Sequence, residues 1–137
     1  AGGAVGVEDR VDAVQVDPWA LGLEKLGDAG LYRVAIVAAD PSEPDVGDNV
    51  WTVRVSTADG AAVNDATVTA RLWMTVHNHG TSQADPVGTA SGSDGRYDVA
   101  AIDFIMPGPW EITFTVTGAD GMSIDTVLFT FDVEGCR

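Results

Sequence analysis

Basic residues are scarce in this sequence: seven Lys and Arg stand against 21 Asp and Glu, for a formal net charge of −14. Affinity for nucleic acid comes mainly from Lys and Arg on phosphates, so that class of partner is excluded. Anionic membrane surfaces repel such a chain for the same reason. Cysteine is scarcer still. The single Cys136, beside the C-terminal Arg137, has no second thiol with which to close an internal disulfide. It is read as an inert terminal thiol, with pairing between chains as the alternative. Long apolar runs are also missing, and none approaches the ~18–20 residues that span a bilayer. Ala1-Gly2-Gly3-Ala4 is not a basic stretch followed by an apolar one, so no leader is expected in the sequence. An intracellular protein and a mature segment whose leader was removed both fit.

The motifs of catalysis are missing as well. There is no Gly-x-Ser-x-Gly elbow, and no Gly-rich phosphate loop leads into a helix. Ser82, close in sequence to His79, is the nearest approach to a nucleophile with its base, and it lacks an oxyanion hole. No N-terminal histidine is available to hold copper for oxidative chemistry, since the sequence opens on Ala1. The expectation is a protein that is not an enzyme.

What the chain does have is 137 residues, 45% of them hydrophobic, enough for one domain and one core. From residue 31 onward a two-residue period dominates. Trp110-Glu111-Ile112-Thr113-Phe114-Thr115-Val116-Thr117 alternates apolar and polar, which buries one face of a strand and wets the other. Trp51 to Ser56 follows the same rule, as does Val68 to Met74, which turns Met74 inward and Trp73 outward. Val127, Phe129, Phe131 and Val133 point inward, with Thr126, Thr130 and Asp132 outside and Leu128 as the exception. Tyr32, Val34 and Ile36 mark another strand, and Arg96 to Ile102 one more. Asp59-Gly60, Asp94-Gly95 and Asp120-Gly121 supply the positive φ angles of tight turns between strands. Pro41, Pro44 and Gly47 mark a longer connection. Six or seven strands at this spacing predict an all-β, immunoglobulin-like antiparallel β-sandwich. "Immunoglobulin-like" refers to architecture, because the Cys…Trp…Cys signature is absent.

Residues 1–30 differ from the rest and are expected to form an N-terminal arm. Within it Asp17 to Leu26 predicts a short helix, with Asp17 as N-cap and Pro18 as first helical residue, weakened by Gly22. Trp19 and Leu23 are its docking side chains.

Both histidines, His77 and His79, lie in the one segment that breaks the strand pattern, Met74 to Pro86. In an extended chain His-x-His places both imidazoles on one side, within reach of one ion. Met74 precedes His77 by three residues, and thioether with imidazole suits the soft ion Cu(I). Met106 opens the turn Met106-Pro107-Gly108-Pro109-Trp110. Zinc is a poorer fit, with no cysteine or third histidine nearby, and Asp85 is the only carboxylate at hand. The structural alternative is that the histidines are loop residues and the methionines core filling. The acidic run Asp40 to Asp48 lacks the EF-hand order and is read as a solvated loop.

Asn49 to Val133 resembles the YtkA-like and FixH-like domains of bacterial envelope proteins. The resemblance runs through Gly47-Asp48-Asn49-Val50-Trp51-Thr52-Val53, Asn64-Asp65-Ala66-Thr67-Val68, Trp73-Met74-Thr75-Val76-His77-Asn78-His79-Gly80-Thr81, Gly95-Arg96-Tyr97 and Phe104-Ile105-Met106-Pro107-Gly108-Pro109-Trp110. Thr75 stands where the family often has proline. The resemblance implies a sandwich domain over residues 31–137, on the periplasmic or extracellular side of the envelope and often anchored by a membrane segment or lipid. It also implies copper handling, with Met74, His77, His79 and Met106 as metal ligands. The FixH-type membrane anchor is absent from this sequence, and a lipid anchor would need a cysteine ahead of it. The competing expectation is a metal-free interaction module that binds a partner protein in the envelope.

Overall fold

The computed structural model describes residues 16–74, 77, 79–80, 85–92 and 94–133. These residues form nine strands: β1 (Leu23–Leu26), β2 (Tyr32–Asp40), β3 (Gly47–Thr57), β4 (Thr67–Met74), β5 (His79–Gly80), β6 (Thr89–Ala90), β7 (Arg96–Phe104), β8 (Gly108–Thr117) and β9 (Ile124–Val133). No helix occurs among the described residues. Two sheets, ordered β1-β2-β3-β7-β6 and β5-β4-β8-β9, pair antiparallel throughout and form the expected immunoglobulin-like sandwich. The six long strands, β2, β3, β4, β7, β8 and β9, follow the alternation. β1, β5 and β6 have four, two and two residues, too few for a period to register.

The inward faces meet as the period requires. Across β8 and β9 the opposed pairs Trp110↔Phe131, Ile112↔Phe129 and Phe114↔Val127 are all buried. Such cross-strand pairs are the unit of sheet stabilisation. Trp51 is fully buried at the centre, 5.8 Å from Phe131 and 6.0 Å from Phe104 between ring centres. Trp73 and Leu128 point outward as predicted, whereas Thr130 does not: it is buried.

The reason lies in the segment for which a helix was expected. Asp17 to Leu26 is not helical. Leu23–Leu26 instead pairs with β2, from Leu23↔Ile36 to Leu26↔Arg33, and Gly22 takes a φ of 93°. Asp17 caps no helix; its carboxylate accepts from the Thr130 N–H at 2.9 Å and from Lys25 Nζ at 2.7 Å. An edge strand presents backbone groups that need partners, and here that demand overrides a weak local helix signal. Trp19 packs 4.9 Å from Phe131 and 5.3 Å from Trp51, and its Nε1–H donates to the Ser42 carbonyl at 2.8 Å. Leu23 also packs against the core. Residues 1–15 of the expected arm, together with Ser82 and Cys136, lie outside the described residues.

A buried carboxylate ties the β1–β2 turn to the opposite sheet. Asp125 on β9 accepts from the N–H groups of Ala29, Leu31, Tyr32 and Thr126, at 2.7 to 3.1 Å. Burial pushes this carboxyl up, but the four donors outweigh it and hold the group below its ordinary value. A β-carbon on Gly27 would lie 2.3 Å from the Asp125 carboxyl group, so the turn can close only over glycine.

Candidate metal site at the Met74–Gly80 corner

β4 ends at Met74, and the chain returns as β5 with Met74 opposite His79 and Trp73 opposite Gly80. Directly opposed residues of an antiparallel pair share one face. Met74 is fully buried, so its partner His79 faces the same interior side at the rim of the sheet, where it is half-buried. His77, at the tip of the connection, is exposed. Thr75 lies outside the described residues.

The two imidazoles lie near one another, with ring centres 5.8 Å apart and planes inclined by 33°. An imidazole nitrogen binds a first-row ion at about 2.0 Å, so two rings on one ion have centres no more than about 6 Å apart. The observed separation falls just inside that bound. His79 Nδ1 lies 2.9 Å from the carbonyl oxygen of Gly80. A carbonyl can only accept, so Nδ1 carries a proton, and in the neutral ring the lone pair is then on Nε2. This is the arrangement in which a metal-ligating histidine is commonly held. Neither nitrogen of His77 has a hydrogen-bond partner among the described residues.

The β7–β8 connection closes on the same corner. The Trp110 ring meets His79 nearly perpendicular, at 77° and 5.8 Å between centres. Its Nε1–H donates to the carbonyl of Met106 at 2.9 Å. Met106 is half-buried and packs against the core. Gly108 adopts a φ of 127°, and a β-carbon there would sit 2.9 Å from the ε-methyl of Met74. The residues singled out in sequence therefore belong to one corner. His77 and His79 are neighbours, Met74 is paired with His79, and the Met106 segment is joined to both through Trp110 and Gly108. Trp110 is the participant that sequence reasoning assigned to the core alone. Its one legible signal was the Gly108-Pro109-Trp110 run itself.

The donor set is imidazole and thioether, which suits soft copper better than zinc. Among the described residues no group of three or more His, Cys, Asp and Glu comes together. Asp85 is exposed, on a segment whose Pro86 carbonyl accepts from the Ala70 N–H along the β4 edge. The acidic stretch Asp40 to Asp48 is organised by an amide. The Asn49 side-chain NH₂ donates to the carbonyls of Asp45, Gly47 and Ile102, and its Oδ1 accepts from the Asp45 N–H.

No curated protein matches the chain. The profile of a family described as YtkA-like matches residues 28–115, a span that contains Met74, His77, His79, Met106 and Trp110. With a match over well over half its length, the chain belongs to the YtkA-like family.

Proposed function

We propose that this domain binds copper as Cu(I) on the outer side of a bacterial cytoplasmic membrane and handles it as cargo. His77, His79 and Met74 are its ligands, with Met106 beside them, and it carries out no catalysis. The observation that carries this reading is the imidazole pair 5.8 Å apart, with His79 Nδ1 committed to the Gly80 carbonyl and Nε2 left to bind. The buried thioether opposite His79 favours the soft oxidation state. The strongly negative chain raises the local concentration of cations.

A second reading, a metal-free module that binds a partner protein, has one observation in its favour. Among the described residues β6 pairs with β7 at Asp98 and Tyr97, and beyond that pairing Ala100 and Ala101 are exposed. An exposed sheet edge fits an added strand from a partner.

Titration with Cu(I) and Cu(II) separates the two. Wild type is expected to bind Cu(I) more tightly than about micromolar, and His77→Ala/His79→Ala to lose that binding. Equal binding by the double variant, or none by wild type, eliminates the copper reading.

A further inference from the structure

Trp110 is placed to do more than fill the core. It is fully buried, and its ring packs 5.6 Å from Phe104 on the interior side. At the corner its ring lies against His79, while its N–H holds the Met106 carbonyl. His79 is thereby constrained twice, by Gly80 at Nδ1 and by the indole at the ring. Met106 is anchored by the same indole through its own backbone. Gly108, without a β-carbon, lets this segment close over the Met74 methyl. One rigid side chain thus touches the imidazole of His79 and holds the backbone of Met106, two residues from different parts of the chain.

Resting on the copper reading, we infer that Trp110 is the positioning residue of the site: it orients His79 and brings Met106 in as the fourth ligand, beside Met74 and His77. Outer partners of metal ligands typically affect affinity by about 10- to 100-fold, and Trp110 belongs in that range. Because Trp110 acts on Met106 through one hydrogen bond, the two residues form one unit. Their substitutions cannot then be additive.

The test uses the full chain: wild type, Trp110→Phe, Met106→Leu and the double variant. Cu(I) affinity is measured against a competing chelator, and sulfur neighbours are counted by copper-edge X-ray absorption. Wild type is expected to show two sulfurs. Each single variant should bind about tenfold or more weakly and show one sulfur, and the double variant should be no weaker than the singles. In the metal-free protein, the His79 ring protons should lose their indole ring-current shift in Trp110→Phe. Met106→Leu keeps both the volume and the carbonyl, so it remains informative should Trp110→Phe fail to fold. Two sulfurs retained in either single variant, or effects that multiply in the double, overturn the inference. Failure of wild type to bind Cu(I) is a different result, and it removes the copper reading itself.

Discussion

Asp17 and Thr130 exchange two hydrogen bonds: the Asp17 N–H donates to the Thr130 carbonyl at 2.7 Å, and the Thr130 N–H donates to the Asp17 carboxylate at 2.9 Å. Lys25 completes the clasp, donating to the same carboxylate oxygen at 2.7 Å and to the Leu128 carbonyl at 3.0 Å. The Asp28 N–H donates to the Thr126 carbonyl at 2.9 Å. The outer edge of β9 is thus occupied from Thr126 to Thr130 by Asp17, Lys25 and Asp28. Unpaired edges invite association with other chains, and this one is covered. Asp17→Ala should cost about 1–2 kcal/mol, because it leaves the Thr130 N–H without its charged acceptor. Chemical denaturation measures that cost. Amide exchange at Thr130 should accelerate in step, and unchanged protection there would remove the clasp from the account.

Trp19 lies ahead of the segment matched by the family profile, yet it packs on Trp51 and Phe131 at the heart of the sandwich. Trp19→Ala is expected to cost about 2–4 kcal/mol, somewhat below a fully buried tryptophan. A chain trimmed to begin at residue 28 should lose at least as much. A trimmed domain as stable as the full chain would show that the residues before it are only an appendage.

Asp125 makes stability depend on acid. Its folded value is lowered, because four backbone donors outweigh the cost of burial. The unfolded chain therefore takes up the proton first as pH falls. The stabilisation is complete above the ordinary carboxylate value of about 4 and drains away below it, down to the folded value. Asp125→Asn should flatten that acid limb and lower stability at neutral pH by about 2–3 kcal/mol, since an amide cannot accept from every donor. Thermal melts from pH 2 to pH 7 on both proteins provide the measurement.

The two histidines should contribute unequally to copper binding. His79 is held by Gly80 and Trp110, whereas His77 is exposed and has no hydrogen bond to any described residue. Ordering an exposed side chain on binding costs about 0.5–1.5 kcal/mol, so His79→Ala should lose that much more Cu(I) affinity than His77→Ala. Equal losses would mean that the preformed ring confers no advantage.

Gly108→Ala tests how closely the β7–β8 connection must approach Met74. The backbone angle of 127° suits glycine alone, and a new β-carbon would meet the Met74 methyl at 2.9 Å. The expected cost is about 1–3 kcal/mol of folding stability. Weaker Cu(I) binding should accompany it if Met74 is a ligand.

Much of this molecule is written in local pattern. Alternation in β3, β4, β8 and β9 decides which side chains enter the core, because successive strand residues must face opposite ways. Gly60, Gly95 and Gly121 take positive φ, at 101°, 72° and 73°, as expected of the three Asp-Gly turns, and of their aspartates Asp94 alone does so, at 82°. Met74 inward, Trp73 outward and the proximity of His77 to His79 follow from the same short-range geometry. What sequence could not determine involves partners far apart in the chain. Asp17 looks like a helix cap until Thr130, 113 residues away, claims its carboxylate. Asp125 appears as one acid among many until the β1–β2 turn folds over it, more than 90 residues distant. Trp110 reads as core until His79 is found against its ring. Periodicity specifies the faces of a strand but carries no distance between strands. Only the docking of the two sheets decided which backbone donors needed an acceptor and which side chains would share the corner.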